Sequence, residues 1–278
     1  MNLEEAIKNA LAEDIGDGDH TSLACIDKDK TGKARLLVKE DGIIAGVDVA
    51  KTIYSLFDPR IKMDIFIPDG NPIKKGDVVF NVEGNVISIL STERLVLNFM
   101  QRMSGIATYT HQIMKLLENL PVKILDTRKT SPNLRIFEKK AVALGGGHNH
   151  RFGLYDMILI KDNHIDFAGG IEEAINATQL YLKSLNKNLP IEIEARSLED
   201  VRNIIQIGQV NRIMLDNFTP ELLKEAIEII NHQFETEASG GITIENIRSY
   251  AETGVNYISV GALTHQIKSL DLSLKALT

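Results

Sequence analysis

The residue types best suited to chemistry in this chain fall immediately after short apolar runs. The run at 122–125 is followed by Asp126, Thr127, Arg128, Lys129 and Thr130, and the run at 157–160 by Lys161, Asp162, Asn163 and His164. A run at 191–194 ends on Glu194, and one at 212–215 leads into Asp216 and Asn217. The run at 235–238 opens onto Ser239, Gly240 and Gly241. The last, at 257–260, carries Ser259 and Val260 and leads into Gly261 and Ala262. Cations therefore come early, and carboxylates and glycines late. Guanidinium and ammonium groups suit carboxylates and phosphates. Bare backbone amides in glycine loops suit phosphate. Glu194 and Asp216 suit ribose hydroxyls or a magnesium ion that keeps most of its waters.

Between Asp126 and His164 there are seven Lys and Arg against four acids, in a chain whose net charge is −7. A basic pocket on an acidic protein focuses a small anion. Arg128, Lys129, Arg151 and Lys161 border strand ends or a glycine loop and are the functional candidates, whereas Lys139 and Lys140 read as helix-surface charges. One Gly-Gly before a helix is weak evidence of a phosphate site. A second glycine loop one unit later (Ser259, Val260, Gly261) makes phosphate binding the better reading, because barrels commonly bind phosphate after their last two strands. His148 and His150 share a strand face, but no third metal ligand stands at a suitable spacing. His150 reads as a hydrogen-bonding pocket residue and His148 as structural. Glu192 shares a face with Glu194 and competes for the same roles.

The elements that must position these groups change character along the chain. The first hundred residues hold β-like runs at 34–38, 63–67 and 77–80 broken by Asp-Gly and Lys-Gly-Asp turns, an antiparallel pattern. Helices are expected at 3–12 and 92–103. From Pro121 onward, strand-length apolar runs alternate with amphipathic helices, the pattern of βα units and a parallel sheet. Ser197 with Asp200 resembles a capping box, Thr219-Pro220 an N-cap before a first-turn proline, and Thr243 a cap for a helix at 244–253 ending at Gly254. Six strands that look apolar on both faces suggest an incomplete barrel, with a doubly wound sheet as the alternative. No GxGxxG follows the first strand, which weakens a dinucleotide fold.

The bulk composition bounds the rest. A length of 278 residues with 44% hydrophobic and 25% charged content is ordinary for a globular protein. The acidic balance argues against nucleic acid as a partner. The single cysteine, Cys25, can form no internal disulfide. No signal-peptide pattern opens the chain, and no run approaches the roughly 18 apolar residues of a membrane span. A cytoplasmic protein with no membrane partner is expected.

At these residues the chain resembles the quinolinate phosphoribosyltransferase family over nearly its whole length. The matching segments are Glu13 to Thr21, Glu93-Arg94 with Leu97-Asn98, Ser104 to Thr108, Asp126 to Thr130, Gly145 to Arg151, and Ile160 to His164. Glu192 to Glu194, Leu215 to Asn217, Ser239 to Gly241 and Ser259 to His265 complete them. The resemblance implies an α/β protein with an incomplete TIM-like parallel barrel at 106–266. An N-terminal open-faced α+β sandwich at 1–105 precedes it, and a C-terminal helix at 267–278 packs on that sandwich. It implies a homodimer with a shared site, higher oligomers being left open. It also implies that Arg128, His150, Arg151 and Lys161 bind quinolinate, with Arg94 from the other subunit and Thr127 at the same mouth. Lys129, Glu194 and Asp216 would serve 5-phosphoribosyl 1-pyrophosphate and its Mg2+, and Lys129, Lys161, Glu194 and Asp216 would be the catalytic set. The loops at Ser239, Gly240 and Gly241 and at Ser259, Val260 and Gly261 would hold the 5-phosphate. A related protein associated with molybdenum transport shares much of this layout.

The substrate chemistry agrees with that resemblance. Two carboxylates suit guanidinium forks, and the pyridine nitrogen is itself the nucleophile, so no serine or cysteine nucleophile is needed. Two rival readings remain. In an aldolase-type lyase, Lys161 would form a Schiff base and the arginines would stand idle. In a lipoyl-like carrier, the turn at Pro68 to Val79 would need a lysine at its tip, and it lacks a convincing one.

Overall fold

The structure, a computed structural model, describes residues 2–277. In chain order its first elements are α1 (Leu3–Ile15), α2 (His20–Cys25), β1 (Thr31–Val38), β2 (Gly42–Ile43), α3 (Val47–Phe57), β3 (Lys62–Ile65), β4 (Pro72–Ile73), β5 (Val78–Asn85) and α4 (Val86–Leu116). Then come β6 (Lys123–Leu125), α5 (Arg135–Leu144), β7 (Ile158–Ile160), α6 (Asp162–Ala168), α7 (Ile171–Ser184), β8 (Ile191–Ala195) and α8 (Leu198–Ile207). The last are β9 (Arg212–Asp216), α9 (Pro220–Ile230), β10 (Glu235–Ser239), α10 (Ile247–Ala251), β11 (Tyr257–Ser259), α11 (Ala262–His265) and β12 (Leu272–Leu277).

The described residues form two compact units. The first takes the chain up to Gln112, then Thr130–Gly147, and resumes at Leu263; the second takes Ile113–Lys129 and His148–Ala262. The chain therefore leaves the second unit between β6 and β7 and comes back, which a single boundary at 105/106 does not capture.

In the first unit a four-stranded antiparallel sheet has the order β12-β1-β5-β3. Residues 267–277 do not form the helix expected over 267–278. Instead β12 pairs antiparallel with β1, from Lys33 opposite Leu277 to Val38 opposite Leu272. The physical reason is a period of two: Leu272 and Leu274 are buried with Ser273 between them, so alternation and not a 3.6-residue stripe carries the burial. Thr278 lies outside the described residues. α1 opens with a capping box, in which the Asn2 side chain accepts from the Glu5 amide and Glu5 accepts from the Asn2 amide.

α4 is far longer than the expected 92–103, at 31 residues. Its buried residues (Thr92, Val96, Met100, Met103, Ala107 and Thr110 among them) recur at three and four, so packing keeps it helical across Ser104-Gly105. A Cβ at Gly105 would strike the Lys268 carbonyl. Ser104 Oγ donates to the Ala45 carbonyl at 3.1 Å and accepts from its amide at 2.9 Å, and Thr108 Oγ1 accepts from the Ile43 amide at 2.9 Å. The motif Ser104 to Thr108 thus holds β2 against α4. Lys139, expected on a helix surface, is buried on α5 at 2% exposure.

The second unit holds six parallel strands in the order β6-β11-β10-β9-β8-β7. β7 to β11 follow one another around the sheet, and the first strand, β6, sits beside the last. The ring is open only between β6 and β7, which makes it an incomplete barrel. His148 occupies that open edge: its amide donates to the Ile124 carbonyl and its carbonyl accepts from the Asp126 amide, a short parallel bridge beside Leu125. The observed strands match the expected ones to within about two residues, the usual uncertainty of strand ends. α10 is shorter than the expected 244–253. The Asn246 side chain accepts from the Thr243 amide at 2.7 Å and so competes with the helix for backbone donors.

One expectation fails in an instructive way. The strands are not apolar on both faces. Ile191, Ile193, Ile213, Leu215, Ala238 and Ile258 are buried on one face, while the alternate positions include Glu192, Glu194, Arg212 and Glu237.

Candidate active site

The carboxyl ends of these strands bring the predicted groups together. Lys161 follows β7, and its ammonium is ion-paired with Glu194 near the end of β8. The other Glu194 oxygen accepts from the Asp162 amide at 3.0 Å. Glu194 is buried and Lys161 exposed, so the pair presents its cation to solvent. Asp216 ends β9 beside them. Its carboxyl is raised above the ordinary range by burial and then by the charge of Glu194, with Lys161 working the other way. Asn217 Nδ2 donates to Asp216 Oδ2 at 2.7 Å.

Two guanidiniums share this mouth. Burial, and next the like charge of Arg128, lower the Arg151 pKa, while Glu192, Asp156 and Glu194 oppose that shift. Like charges are tolerated in one place where an anion is meant to sit between them. Arg151 is half-buried and donates through Nη1 to the Met157 carbonyl at 3.2 Å. Arg128 and Lys129 are exposed on the turn after β6, where Thr127 Oγ1 accepts from the Lys129 amide at 3.0 Å.

The glycine loop after β10 is built around Asn217. Its backbone amide donates to the Ser239 carbonyl at 2.8 Å, and both Gly240 (φ 95°) and Gly241 (φ 63°) adopt left-handed conformations. A Cβ on Gly240 would strike the Asn217 side chain, whereas one on Gly241 would meet open space. The loop therefore offers a backbone concavity of the kind that cradles anions. The five-residue α10 adds less helix dipole than the longer expected helix would have.

At three of the expected residues the structure shows contacts within the protein. The Val260 amide donates to the Leu125 carbonyl at 2.9 Å and its side chain is buried, so Val260 secures β11 beside β6 and has no donor left for a phosphate. The Ser259 hydroxyl is buried, 3.5 Å from the Ala238 carbonyl, and faces the strands. The His150 ring is also buried, and its nitrogens face protein groups. Its Nδ1 accepts from the Arg151 amide at 2.7 Å, and its Nε2 lies 3.0 Å from Glu192 and 3.4 Å from Glu237. Burial works against charge on the ring and the two carboxylates favour it, raising its pKa; with Nδ1 accepting the Arg151 amide, the ring as it stands here is the neutral tautomer with its proton on Nε2.

Arg94 belongs to the first unit, exposed on α4. It lines a surface cleft with Asp14, Asp19, His20 and Thr21, which brings the N-terminal motif and this arginine into one place. Asp19 joins α2 to α4 by accepting from Ser22 N and from Ser91 Oγ. Sequence reasoning gave no role to three groups. Asp126 is fully buried and accepts from the His150 amide at 2.9 Å. Arg212 and Glu237 pair beneath the mouth at 3.0 Å. Charged residues at alternate positions of buried strands were the available signal, visible at Glu192, Arg212 and Glu237.

A parallel barrel whose strand ends collect cations and backbone amides against two carboxylates is an enzyme site for small anionic substrates. Family models assign it further: the quinolinate phosphoribosyl transferase N-terminal domain matches residues 19–104 and the C-terminal domain residues 106–275. The chain belongs to the quinolinate phosphoribosyltransferase family. It is 46% identical to a mitochondrial quinolinate phosphoribosyltransferase [decarboxylating] 2b of Nicotiana tabacum, over 99% of this chain and 82% of that protein. It is 42% identical to a probable nicotinate-nucleotide pyrophosphorylase [carboxylating] of Bacillus subtilis, over 99% of this chain and 93% of that protein. The solved structure of the nicotinate-nucleotide pyrophosphorylase from Francisella tularensis superposes with a TM-score of 0.92 at 38% identity, covering 99% of this chain and 96% of that one.

Proposed function

We propose that this chain transfers the phosphoribosyl group of 5-phosphoribosyl 1-pyrophosphate to the ring nitrogen of quinolinate, with loss of carbon dioxide. The products are nicotinate mononucleotide and pyrophosphate, and the step serves NAD biosynthesis. One observation carries the reading. Arg128 and Arg151 lie close enough to feel each other's charge, at a mouth shared with the Lys161–Glu194 pair. Two guanidiniums with an ammonium match the two carboxylates of quinolinate.

With the carboxylates held by Arg151, Arg128 and Lys161, the pyridine nitrogen is directed at the anomeric carbon. Positioning then converts a bimolecular encounter into a local one. The N–C bond forms as the C–O bond to pyrophosphate breaks, and the leaving electron pair goes to pyrophosphate oxygen. Positive charge grows on the sugar, and the carboxylates Glu194 and Asp216 are preorganised to stabilise it. Lys129 and the backbone of Ser239, Gly240 and Gly241 receive the donor's phosphates. In the ribosylated ring the adjacent carboxylate departs as carbon dioxide; the electron pair of the broken C–C bond stays on the ring carbon, stabilised by the neighbouring cationic nitrogen, and takes up a proton.

Mg2+ fits Asp216 better than Glu194, because both Glu194 oxygens already serve Lys161 and the Asp162 amide. A hydrated ion held by Asp216 would neutralise charge on the pyrophosphate. We assign Arg94 to the site of a second copy in a homodimer, with Asn98 and Arg102 lining a further cavity on the same helix. A cytoplasmic location fits the single exposed thiol, Cys25. No helix among the described residues is long and apolar enough to cross a membrane.

The direct test mixes protein, quinolinate, 5-phosphoribosyl 1-pyrophosphate and Mg2+, and assays carbon dioxide and nicotinate mononucleotide. Product from nicotinate but not from quinolinate would overturn the substrate assignment. The dimer is tested by mixing Arg94→Ala with Arg151→Ala, each inactive alone. A hybrid dimer holds one site with both arginines, so activity returns toward about a quarter of the unmodified level once subunits exchange. No recovery after demonstrated exchange would place Arg94 outside the partner's site.

A further inference from the structure

Beneath the mouth, one layer nearer the start of the strands, lies a buried ionic cluster that the reaction does not use. Glu192 (β8) shares a face with Glu194, and along a strand such neighbours stand roughly 7 Å apart. Glu192 and Glu237 are both fully buried. Arg212, on the strand between theirs, contacts Glu237 at 3.0 Å and Glu235 at 3.1 Å, and its guanidinium lies 3.8 Å from the centre of the Tyr257 ring. Ser259 also bonds to Glu237. Neither oxygen of Glu192 makes an aligned hydrogen bond among the described residues; the His150 ring stands 3.0 Å away, and the field of Arg212 offsets the carboxylate charge.

His150 ties this cluster to the open edge of the barrel. Its amide is fixed by buried Asp126 at 2.9 Å, and its Nδ1 accepts from the Arg151 amide at 2.7 Å. Because Nδ1 accepts, a ring proton sits on Nε2 and faces the two carboxylates. That arrangement disfavours a metal at His150, Glu192 and Glu237: a metal-bound histidine donates from its other nitrogen, and Arg212 already occupies Glu237.

We propose that Glu192, Glu237 and Arg212 act as positioning residues that fix the His150 ring, and through its Nδ1 the backbone of Arg151, so that the Arg151 guanidinium meets a substrate carboxylate. The proposal rests on the functional reading above and adds a cause for the geometry at Arg151. Where β6 and β7 lack a ladder between them, the His150 side chain spans the interior to β8 and β10 instead. Nδ1 takes the Arg151 amide and Nε2 faces the two carboxylates at 3.0 and 3.4 Å, so His150 serves the site through its neighbour.

The test is a double-mutant cycle read by titration with quinolinate. Glu192→Gln keeps the side-chain shape but removes the charge that holds Nε2. It is expected to weaken quinolinate binding about tenfold while the KM for 5-phosphoribosyl 1-pyrophosphate stays within about twofold. In an Arg151→Lys background the same change is expected to cost less than about twofold, because the fork it positions is gone. His150→Asn retains an acceptor near Nδ1 but loses the link to the carboxylates, and should reproduce the Glu192→Gln pattern if that variant folds poorly. Equal losses in both Arg151 backgrounds would overturn the positioning role, as would parallel losses for both substrates. If the unmodified protein binds quinolinate and Glu192→Gln leaves its affinity unchanged, the positioning role fails alone. If the unmodified protein does not bind quinolinate, the functional reading fails and takes this role with it.

Discussion

Arg151→Ala is expected to weaken quinolinate binding at least a hundredfold while leaving the fold intact. A hydrogen bond to a charged partner contributes about 1.5–3 kcal/mol, and a guanidinium fork on a carboxylate makes two of them. Together they amount to roughly 3–6 kcal/mol, or about two to four powers of ten in affinity. The cost to the protein is small by comparison, since Arg151 is half-buried and gives up one bond, to the Met157 carbonyl. The backbone amide that binds His150 Nδ1 survives the substitution. Calorimetric titration with quinolinate, alongside a thermal melt, checks both halves. Unaltered affinity would remove Arg151 from the site. Arg151→Lys is expected to recover little, because an ammonium cannot reproduce a planar fork.

Gly240→Ala is expected to act on the other substrate. At φ 95° an alanine carries a strain of roughly 1–3 kcal/mol, and its Cβ would also strike Asn217. Asn217 yields first by giving up its side-chain hydrogen bond to Asp216, and the backbone hydrogen bond it donates to the Ser239 carbonyl is crowded as well. The glycine loop and the Asp216 carboxylate therefore move together. The expected result is a fall of about a hundredfold in kcat/KM for 5-phosphoribosyl 1-pyrophosphate, with quinolinate affinity within about threefold of normal. Gly241→Ala is the internal comparison. It meets strain at φ 63° but open space around the Cβ, so its loss should be nearer tenfold. A Gly240→Ala protein with unchanged kcat/KM for the phosphoribosyl donor would show that this loop does not hold the phosphate. The two variants separate the halves of the site, because one removes a ligand for the acceptor and the other distorts the cradle for the donor.

The six barrel strands and the groups that follow them were legible in the chain itself. Strand length, turn chemistry and the position of a polar residue after an apolar run are local properties, and in a parallel barrel every strand end points to the same mouth. Lys161, Glu194, Asp216 and Gly240 could be placed together for that reason before any coordinates. Local pattern also misled where a distant partner decided the outcome. Residues 272–277 became a strand because β1 had a free edge to pair with, and α4 ran on past residue 103 because β2 and the segment around Lys268 packed against Ser104, Gly105 and Thr108.

What only the tertiary structure decided is which charged side chains face the substrates and which face each other. His150, Ser259 and Val260 sit in motifs that look like ligand contacts, yet their side chains or amides are engaged by Glu192 and Glu237, by Ala238 and by Leu125. Glu192 and Arg212 carry charges that seem out of place on buried strands until they are found stacked under the mouth. Strand alternation states which face a residue takes. It does not state what fills the interior opposite it, because that depends on residues 20 to 90 positions away that only the closing of the sheet brings within 4 Å.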